Sequence, residues 1–216
     1  REDKQLFMLD IPQGFVDERY LSVVDIPEGA GVVELAPDDD TVILYSTLVE
    51  TEQIWSYSIS KEEFTEHYLQ KGVESISFAP LKADSDDLNA IIFHSRKSGS
   101  VTSGDDLYEI IDKSYGYTVL SLRDDVQVLQ ITEADQGDFT FTPDGGKGYV
   151  IVTDKADIKK VHIIDLTLSS GARISELNLS SVPTGVGVIP GNSRVYVSQD
   201  HPDGRITFID SASDEP

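Results

Sequence analysis

The feature that most constrains the fold of this chain is a proline that recurs after strand-like segments. These prolines are Pro37, Pro80, Pro143 and Pro190, at intervals of 43, 63 and 47 residues. On either side of Pro143, apolar residues alternate with small or polar ones, the period-two pattern of a half-buried strand. The Asp-Gly-Gly that follows Pro143 predicts a tight turn, because proline sets φ and glycine accepts a positive φ. The recurrence therefore indicates four equivalent units.

Each unit divides into short strands, four in each of the first three units and three in the fourth. The units are predicted at residues 31–70, 75–131, 138–179 and 184–213. Two further strand-like segments, 5–10 and 19–25, precede them. A repeat of about 40–50 residues with four short strands is typical of a β-propeller blade, which buries its faces only by stacking on its neighbours. We therefore predict an all-β chain that forms a single β-propeller region of about four four-stranded blades.

The strand pattern allows two arrangements of the propeller. In the first, segment 19–25 supplies the missing outer strand of the fourth unit and closes a four-bladed ring. In the second, segments 5–10 and 19–25 are the last two strands of an earlier blade, and the chain is an arc of a larger propeller. We prefer the arc, because the fourth unit ends where a turn to its outer strand would begin. An arc exposes sheet faces and edges, so we expect self-association or further blades to cover them.

The charge of the chain restricts its partners. Its 39 acidic and 17 basic residues leave a net charge of −22, which argues against nucleic acid and anionic membranes, because binding to phosphates needs clustered Lys and Arg. The acids predict a heavily solvated surface, with some adaptation to salt. The chain has no cysteine, so neither disulfides nor cysteine-ligated metals are expected. No apolar run approaches the roughly 18 residues that span a membrane.

The residue types that carry catalysis are scattered. The four histidines, His67, His94, His162 and His201, fall in different units, whereas a metal site needs three or four ligands that converge on one point. Acidic clusters such as 38–40 lie at turns, where aspartate bonds its own backbone, and they lack the spacing of a calcium loop. No serine has the context of a nucleophile elbow. We therefore predict no catalytic residue, no metal site and no cofactor.

The long interval between Pro80 and Pro143 contains an insertion, residues 95–114, between the second and third strands of the second unit. Within it, 105–111 is predicted as a short helix with Ser103 as its N-cap. Long connections in compact domains are usually functional or disordered. With the equivalent connections of the third and fourth units, the insertion predicts a rim surface for a protein partner or small ligand. The candidate binding residues are Arg96, Lys97, Tyr108, Glu109, Asp154, Asp200 and His201.

Two stretches of the chain resemble the YVTN-type repeat of bacterial, WD-like propellers. They are PDGGKGYV at 143–150 with VHIIDL at 161–166, and PTGVGVIPG at 183–191 with RVYVS at 194–198. The resemblance implies a propeller that closes with more than four blades. It also implies a role as a scaffold or ligand-binding module, and occasionally as an enzyme.

From that resemblance we expect a non-enzymatic binding scaffold in a bacterial extracytoplasmic protein, in the periplasm or at the cell surface. One alternative is a lactonase-like hydrolytic propeller with a metal at the central channel. Another is a purely structural repeat module of a larger surface protein. The sequence begins at Arg1 without a signal-like segment, so we expect a trimmed or mature product.

Overall fold

The strands of this chain pair into antiparallel sheets that follow one another along the sequence. The structure is a computed structural model that describes residues 4–11, 13–48, 51–82, 86–153, 158–167 and 171–216. Within these residues there are five sheets, and in each sheet every strand pairs with the next strand in the sequence. This up-and-down order in small sheets is the strand order of propeller blades.

The sheets are numbered in chain order. Sheet 1 consists of β1 (Gln5–Leu9) and β2 (Leu21–Asp25). Sheet 2 consists of β3 (Val32–Leu35), β4 (Thr41–Tyr45), β5 (Gln53–Ser58) and β6 (Glu63–Tyr68). Sheet 3 consists of β7 (Val73–Phe78), β8 (Asn89–His94), β9 (Tyr115–Ser121) and β10 (Val126–Thr132). Sheet 4 consists of β11 (Gln136–Phe141), β12 (Lys147–Val152), β13 (Lys160–Asp165) and β14 (Arg173–Asn178). Sheet 5 consists of β15 (Val182–Val188), β16 (Arg194–Asp200) and β17 (Arg205–Asp210).

Apolar side chains fill the space between consecutive sheets. Successive residues of a strand point to opposite faces, so Ile91 and Ile92 of β8 enter two different clusters, between sheets 3 and 4 and between sheets 2 and 3. Two further clusters join sheet 1 to sheet 2 and sheet 4 to sheet 5. The core is thus four layers between five sheets, and each central sheet is covered on both faces.

The recurring prolines mark the same corner in every sheet from 2 to 5. Each one lies two residues beyond the end of the first strand, after Leu35, Phe78, Phe141 and Val188. The corners of sheets 3 and 4 also touch. Gly145, in the turn after Pro143, lies so close to Pro80 that an added Cβ would be 1.9 Å from the Pro80 carbonyl oxygen. The prediction of an all-β propeller is confirmed.

The structure corrects two details of the sequence analysis. The ring closed by segment 19–25 is not observed, because β2 pairs with β1, with Leu9 opposite Leu21, and not with β17. The single α-helix of the described residues, α1, spans Leu107–Lys113 and not 105–111. Its N-cap is Asp106 and not Ser103.

Candidate binding surface

The insertion between β8 and β9 is organised by side chains at the start of α1. The Asp106 carboxylate accepts a hydrogen bond from the Glu109 backbone N–H at 2.9 Å, which satisfies one of the free donors of the first turn. The Asp105 carboxylate accepts from the Thr102 N–H at 2.9 Å and from the Lys113 Nζ at 2.8 Å. The hydrogen bond from Lys113 is the main cause that lowers the pKa of Asp105 to about 2. Asp105 is therefore engaged within the insertion, which leaves Asp106 to cap the helix.

A buried lysine in the connection between β6 and β7 holds the other end of α1. The Lys71 side chain is almost completely buried, and its Nζ donates to the carbonyl oxygens of Ile111 at 2.6 Å and Asp112 at 3.2 Å. These carbonyls belong to the last turn of α1, where the helix dipole favours a cation. Burial lowers the pKa of Lys71. The insertion is thus anchored to the body of the propeller.

Two of the predicted binding residues take part in this anchoring. The Lys97 Nζ lies 2.6 Å from the Asp112 carboxylate, and the Lys97 backbone N–H donates to the Asp112 carbonyl oxygen at 2.9 Å. The Arg96 guanidinium lies over the Tyr115 ring at 4.4 Å from the ring centroid, a cation–π geometry. Arg96 and Lys97 therefore make intramolecular contacts that hold both ends of the insertion, and their contact with a partner stays a prediction.

The outer side of α1 is apolar and open to solvent. Tyr108 is 80% exposed and Leu107 is 67% exposed, and none of the seven residues of α1 is buried. Glu109 is also exposed, and Val101 adds a further exposed apolar side chain beside the helix. We name Val101, Leu107, Tyr108 and Glu109 the insertion surface. Three of its four side chains, those of Leu107, Tyr108 and Glu109, stand on a helix that is capped at one end and anchored at the other.

The remaining predicted binding residues lie elsewhere. Asp200 ends β16 and is exposed, and the adjacent His201 accepts a hydrogen bond at Nδ1 from the Asp203 N–H at 3.2 Å. They occupy the connection between the second and third strands of sheet 5, equivalent to the insertion in sheet 3, but sheet 4 stands between the two. Asp154 lies outside the described residues. Tyr108 and Glu109 are consecutive residues of α1, whereas Asp200 and His201 lie in a second patch.

Loss of the Lys71 anchor is expected to release the insertion without unfolding the propeller. In Lys71→Met the apolar stem is kept, but two hydrogen bonds from a charged donor are lost, at about 1.5–3 kcal/mol each. We expect amide exchange of residues 105–114 to become at least tenfold faster in hydrogen-exchange mass spectrometry, with little change for β12 and β13. Lys61→Met, in an exposed turn, is the control. Equal protection of 105–114 in both variants would contradict the anchoring role.

Sequence analysis missed a hydrogen-bonded chain of serine, histidine and aspartate between sheets 2 and 3. The Ser56 Oγ lies 2.9 Å from His67 Nε2, and His67 Nδ1 lies 2.7 Å from the Asp125 carboxylate. The order matches that of a serine hydrolase relay, but His67 is almost completely buried in the interface. Asp125 comes from the turn between β9 and β10 of the next sheet, so this chain ties two sheets together. The three residues are too far apart in sequence for any spacing motif to reveal them.

Two more histidines are buried, and each lies within hydrogen-bond distance of a hydroxyl group. His94 Nε2 lies 2.7 Å from the Thr118 Oγ1, and His94 Nδ1 lies 3.1 Å from the Gly72 carbonyl oxygen. His162 Nδ1 lies 3.0 Å from the Tyr117 hydroxyl of the neighbouring sheet. Burial lowers the pKa of both histidines, that of His94 to about 4. Both side chains therefore take part in packing between strands and sheets.

The described residues form neither a cluster of His, Cys, Asp and Glu metal ligands nor a membrane-spanning helix. Among these residues, no group of three or more His, Cys, Asp or Glu side chains is placed to hold a metal ion. In the same part of the chain, the helices are too short and too polar to cross a membrane.

Comparisons with known proteins support the fold alone. No protein-family model and no curated protein matches the sequence. The chain is similar to the hydrazine synthase of Kuenenia stuttgartiensis, with 15% identity, a TM-score of 0.51 and coverage of 96% of this chain and 59% of that one. It is also similar to the dihydro-heme d1 dehydrogenase NirN in complex with DHE, with 11% identity, a TM-score of 0.60 and coverage of 100% and 42%. Both are propeller proteins, and this chain spans about half of their lengths.

Proposed function

We propose that this chain is a non-enzymatic β-propeller scaffold that binds a protein partner through the insertion surface. The observation that carries the proposal is the combination of strong exposure and firm anchoring in α1. Tyr108 and Leu107 are among the most exposed large apolar side chains of the described residues. They nevertheless stand on a helix that Asp106 caps and Lys71 anchors.

The composition of the insertion surface suits a protein interface. Tyrosine is enriched among the residues that contribute most binding energy, because its rigid ring buries a large area and its hydroxyl can form a hydrogen bond. A preformed helix loses less conformational entropy on binding than a flexible loop. A large apolar side chain that is mostly exposed can enter a pocket of a partner.

The shape of the insertion surface favours a protein over a small molecule. Small ligands bind in concave sites that bury most of their surface, whereas α1 projects from the connection between two strands and has no buried residue. The basic groups nearby, Arg96 and Lys97, are held by Tyr115 and Asp112. A partner with an apolar groove and a basic rim suits this surface, since the rim would face Glu109 and a chain of net charge −22.

We also propose that the protein acts in a bacterial extracytoplasmic compartment. The support is the resemblance of residues 137–213 to YVTN-type repeats and the strongly acidic composition. The same charge makes nucleic acid an unfavourable partner. Fractionation of a bacterial source followed by immunoblotting tests the location, and a signal confined to the cytoplasm would contradict it.

A peptide library provides a partner-independent test of the insertion surface. Peptides selected by phage display on the wild-type chain are expected to lose at least about tenfold in affinity, or about 1.4 kcal/mol, on the double variant Leu107→Gln and Tyr108→Gln. The measurement is biolayer interferometry with synthetic copies of the enriched peptides. The loss follows because the two largest exposed apolar groups of α1 are replaced by polar ones.

The control is a second double variant with the same change in chemistry, Leu48→Gln and Tyr68→Gln. Leu48, in the connection between β4 and β5, and Tyr68, the last residue of β6, are exposed to similar degrees, at 69% and 64%, and both lie outside the insertion. Both double variants are expected to melt within a few degrees of the wild type, because the replaced side chains are largely exposed. Peptides that bind all three proteins equally would overturn the proposal.

A further inference from the structure

A small cavity lies between sheets 3 and 4. Its volume is about 100 Å³, and one water molecule needs roughly 10–15 Å³ of such space. Five of the residues that line it carry polar side chains, namely Asp87, Asn89, Ser121, Asp124 and Thr167. The rest of the wall is formed by Val119, Val126, Leu166, Gly171 and Ala172. The cavity therefore has room for an ion with a few waters, and each of its polar side chains carries oxygen.

Asn89 is the most deeply buried of these polar residues, at 8% exposed. It begins β8, and it shares a face of that strand with Ile91, which packs in the cluster between sheets 3 and 4. Its side chain is therefore directed into the cavity. In the part of the chain that the structure describes, no group forms a hydrogen bond with the Asn89 side chain. A buried amide without a partner costs free energy, so a ligand that pairs with it is favoured.

The two neighbouring interfaces place basic side chains beside carboxylates. Lys147 begins β12, and its Nζ lies 2.6 Å from the Asp214 carboxylate. Arg123 follows the end of β9 by two residues, and its guanidinium lies 3.6 Å from the Asp38 carboxylate in the turn between β3 and β4. In each of these interfaces, a cation of the protein itself offsets the negative charge.

The interface between sheets 3 and 4 is neutral at both of these positions. Asn89 begins β8 as Lys147 begins β12. Thr167 follows the end of β13 by two residues, as Arg123 follows the end of β9. Both neutral residues line the cavity together with two carboxylates. The protein thus supplies no cation at the positions that carry one in the neighbouring interfaces.

One basic group lies at the edge of this set. The Lys82 Nζ donates a hydrogen bond to the Leu166 carbonyl oxygen at 3.0 Å and lies 3.7 Å from an Asp87 carboxylate oxygen. Its charge offsets one of the two carboxylates of the cavity. The set therefore stays negative overall, and Lys82 is expected to weaken the binding of a cation without preventing it.

We propose that this cavity binds a hard cation, Ca²⁺ in particular. Ca²⁺ takes roughly six to eight oxygen ligands in a flexible geometry, among them carboxylates, asparagine carbonyls and waters. Asp87 and Asp124 supply the negative charge, and the amide oxygen of Asn89 supplies a neutral ligand from the buried side. Mg²⁺ requires a more regular geometry and gives up its waters reluctantly, so it binds more weakly here. Only two of these residues are acidic, so the set differs from the groups of three or more His, Cys, Asp or Glu side chains considered above.

Calcium titration of the EDTA-treated protein, followed by NMR, tests the proposal. The chain has three asparagines, so the side-chain amide of Asn89 can be followed in ¹⁵N–¹H spectra, with the exposed Asn178 and Asn192 as internal references. CaCl₂ is expected to shift the Asn89 resonances with a Kd on the order of 10⁻⁴–10⁻³ M. It is also expected to raise Tm, because the ion binds the folded state. KCl keeps the ionic strength constant, so that general screening does not change.

Two variants change the affinity in opposite directions. Asp124→Asn is expected to raise the Kd for Ca²⁺ at least about tenfold, because one of the two carboxylates is lost. Lys82→Met is expected to lower the Kd, because it removes a repelling charge and keeps the apolar stem. The control is Asp203→Asn, in the connection between β16 and β17, whose carboxylate side chain is 91% exposed. It removes the same charge away from the cavity and is expected to bind Ca²⁺ as the wild type does.

Two results would overturn the proposal. In the first, the Asn89 resonances stay unchanged up to about ten times the expected Kd, which would assign the cavity to water alone. In the second, the protein responds equally to CaCl₂ and MgCl₂, and Asp124→Asn and Asp203→Asn behave alike. That result would show only the general attraction of divalent cations to a chain of net charge −22.

Discussion

Replacing Gly145 with alanine is expected to lower the free energy of unfolding by about 3 kcal/mol or more. Gly145 has φ of +65°, and an added Cβ would lie 1.9 Å from the Pro80 carbonyl oxygen of the preceding sheet. The obstacle is backbone, so no side-chain rotation can relieve the clash. The turns of sheets 3 and 4 would have to separate, and their shared cluster with Ile91 and Ile164 would open.

Gly204→Ala separates the clash from the cost of the backbone conformation. Gly204 has φ of +66°, and an added Cβ there meets nothing within 4 Å. Its replacement is expected to cost only the left-handed conformation of a non-glycine residue, roughly 1–2 kcal/mol. For a chain of this size, each kcal/mol lowers Tm by roughly 2–4 °C. Chemical denaturation of both variants measures the difference, and equal losses would show that Pro80 moves aside freely.

Local patterns in the sequence explain why the fold could be predicted well. Strand residues alternate between two apolar clusters, and the turn after each proline recurs at the same place, so period-two patterns and repeat spacing located the strands. These are local properties of the chain. The Pro80 and Gly145 contact is the long-range counterpart, because equivalent corners can meet only when the sheets stack in order.

The errors of the sequence analysis arose where several local solutions compete. Ser103 and Asp106 are both good N-caps, and the choice depends on Asp105, which Thr102 and Lys113 already engage. Segment 19–25 has the pattern of a strand, but a strand pattern does not identify its partner. Packing of Met8 and Val24 on sheet 2 keeps that segment beside β1.

The candidate site was predictable only in part. The length of the insertion indicated a functional connection, and Tyr108 and Glu109 are indeed exposed on it. The charges of Arg96 and Lys97 did not show that Tyr115 and Asp112 would engage them. No sequence motif identifies Lys71 as an anchor of the insertion, because its partners are backbone carbonyls about 40 residues away in sequence. Contacts of that kind depend on the stacked fold.

Lowering the pH from 7 to 4.5 is expected to remove about 2–3 kcal/mol of stability through His94 alone. Burial lowers the pKa of His94 to about 4, with the nearby Lys71 charge acting in the same direction, while the unfolded chain has a value near 6.5. As the pH falls below 6.5, the unfolded state therefore takes up a proton that the folded state does not. The contribution of His94 is fully present above pH 6.5 and is lost on the way to pH 4.

His94→Gln isolates this contribution, because other groups also titrate. Burial lowers the pKa of His162 as well, and Asp105 adds a loss at still lower pH. Both groups remain in the variant, so only the difference between wild type and variant reports His94. At pH 7 the variant is expected to be less stable, because Gly72 and Thr118 lose a well-placed partner. Towards pH 4.5 the gap is expected to close or reverse, since glutamine takes up no proton in either state. Urea unfolding at half-unit steps of pH measures the gap, and parallel curves would mean that His94 titrates alike in the folded and unfolded chain.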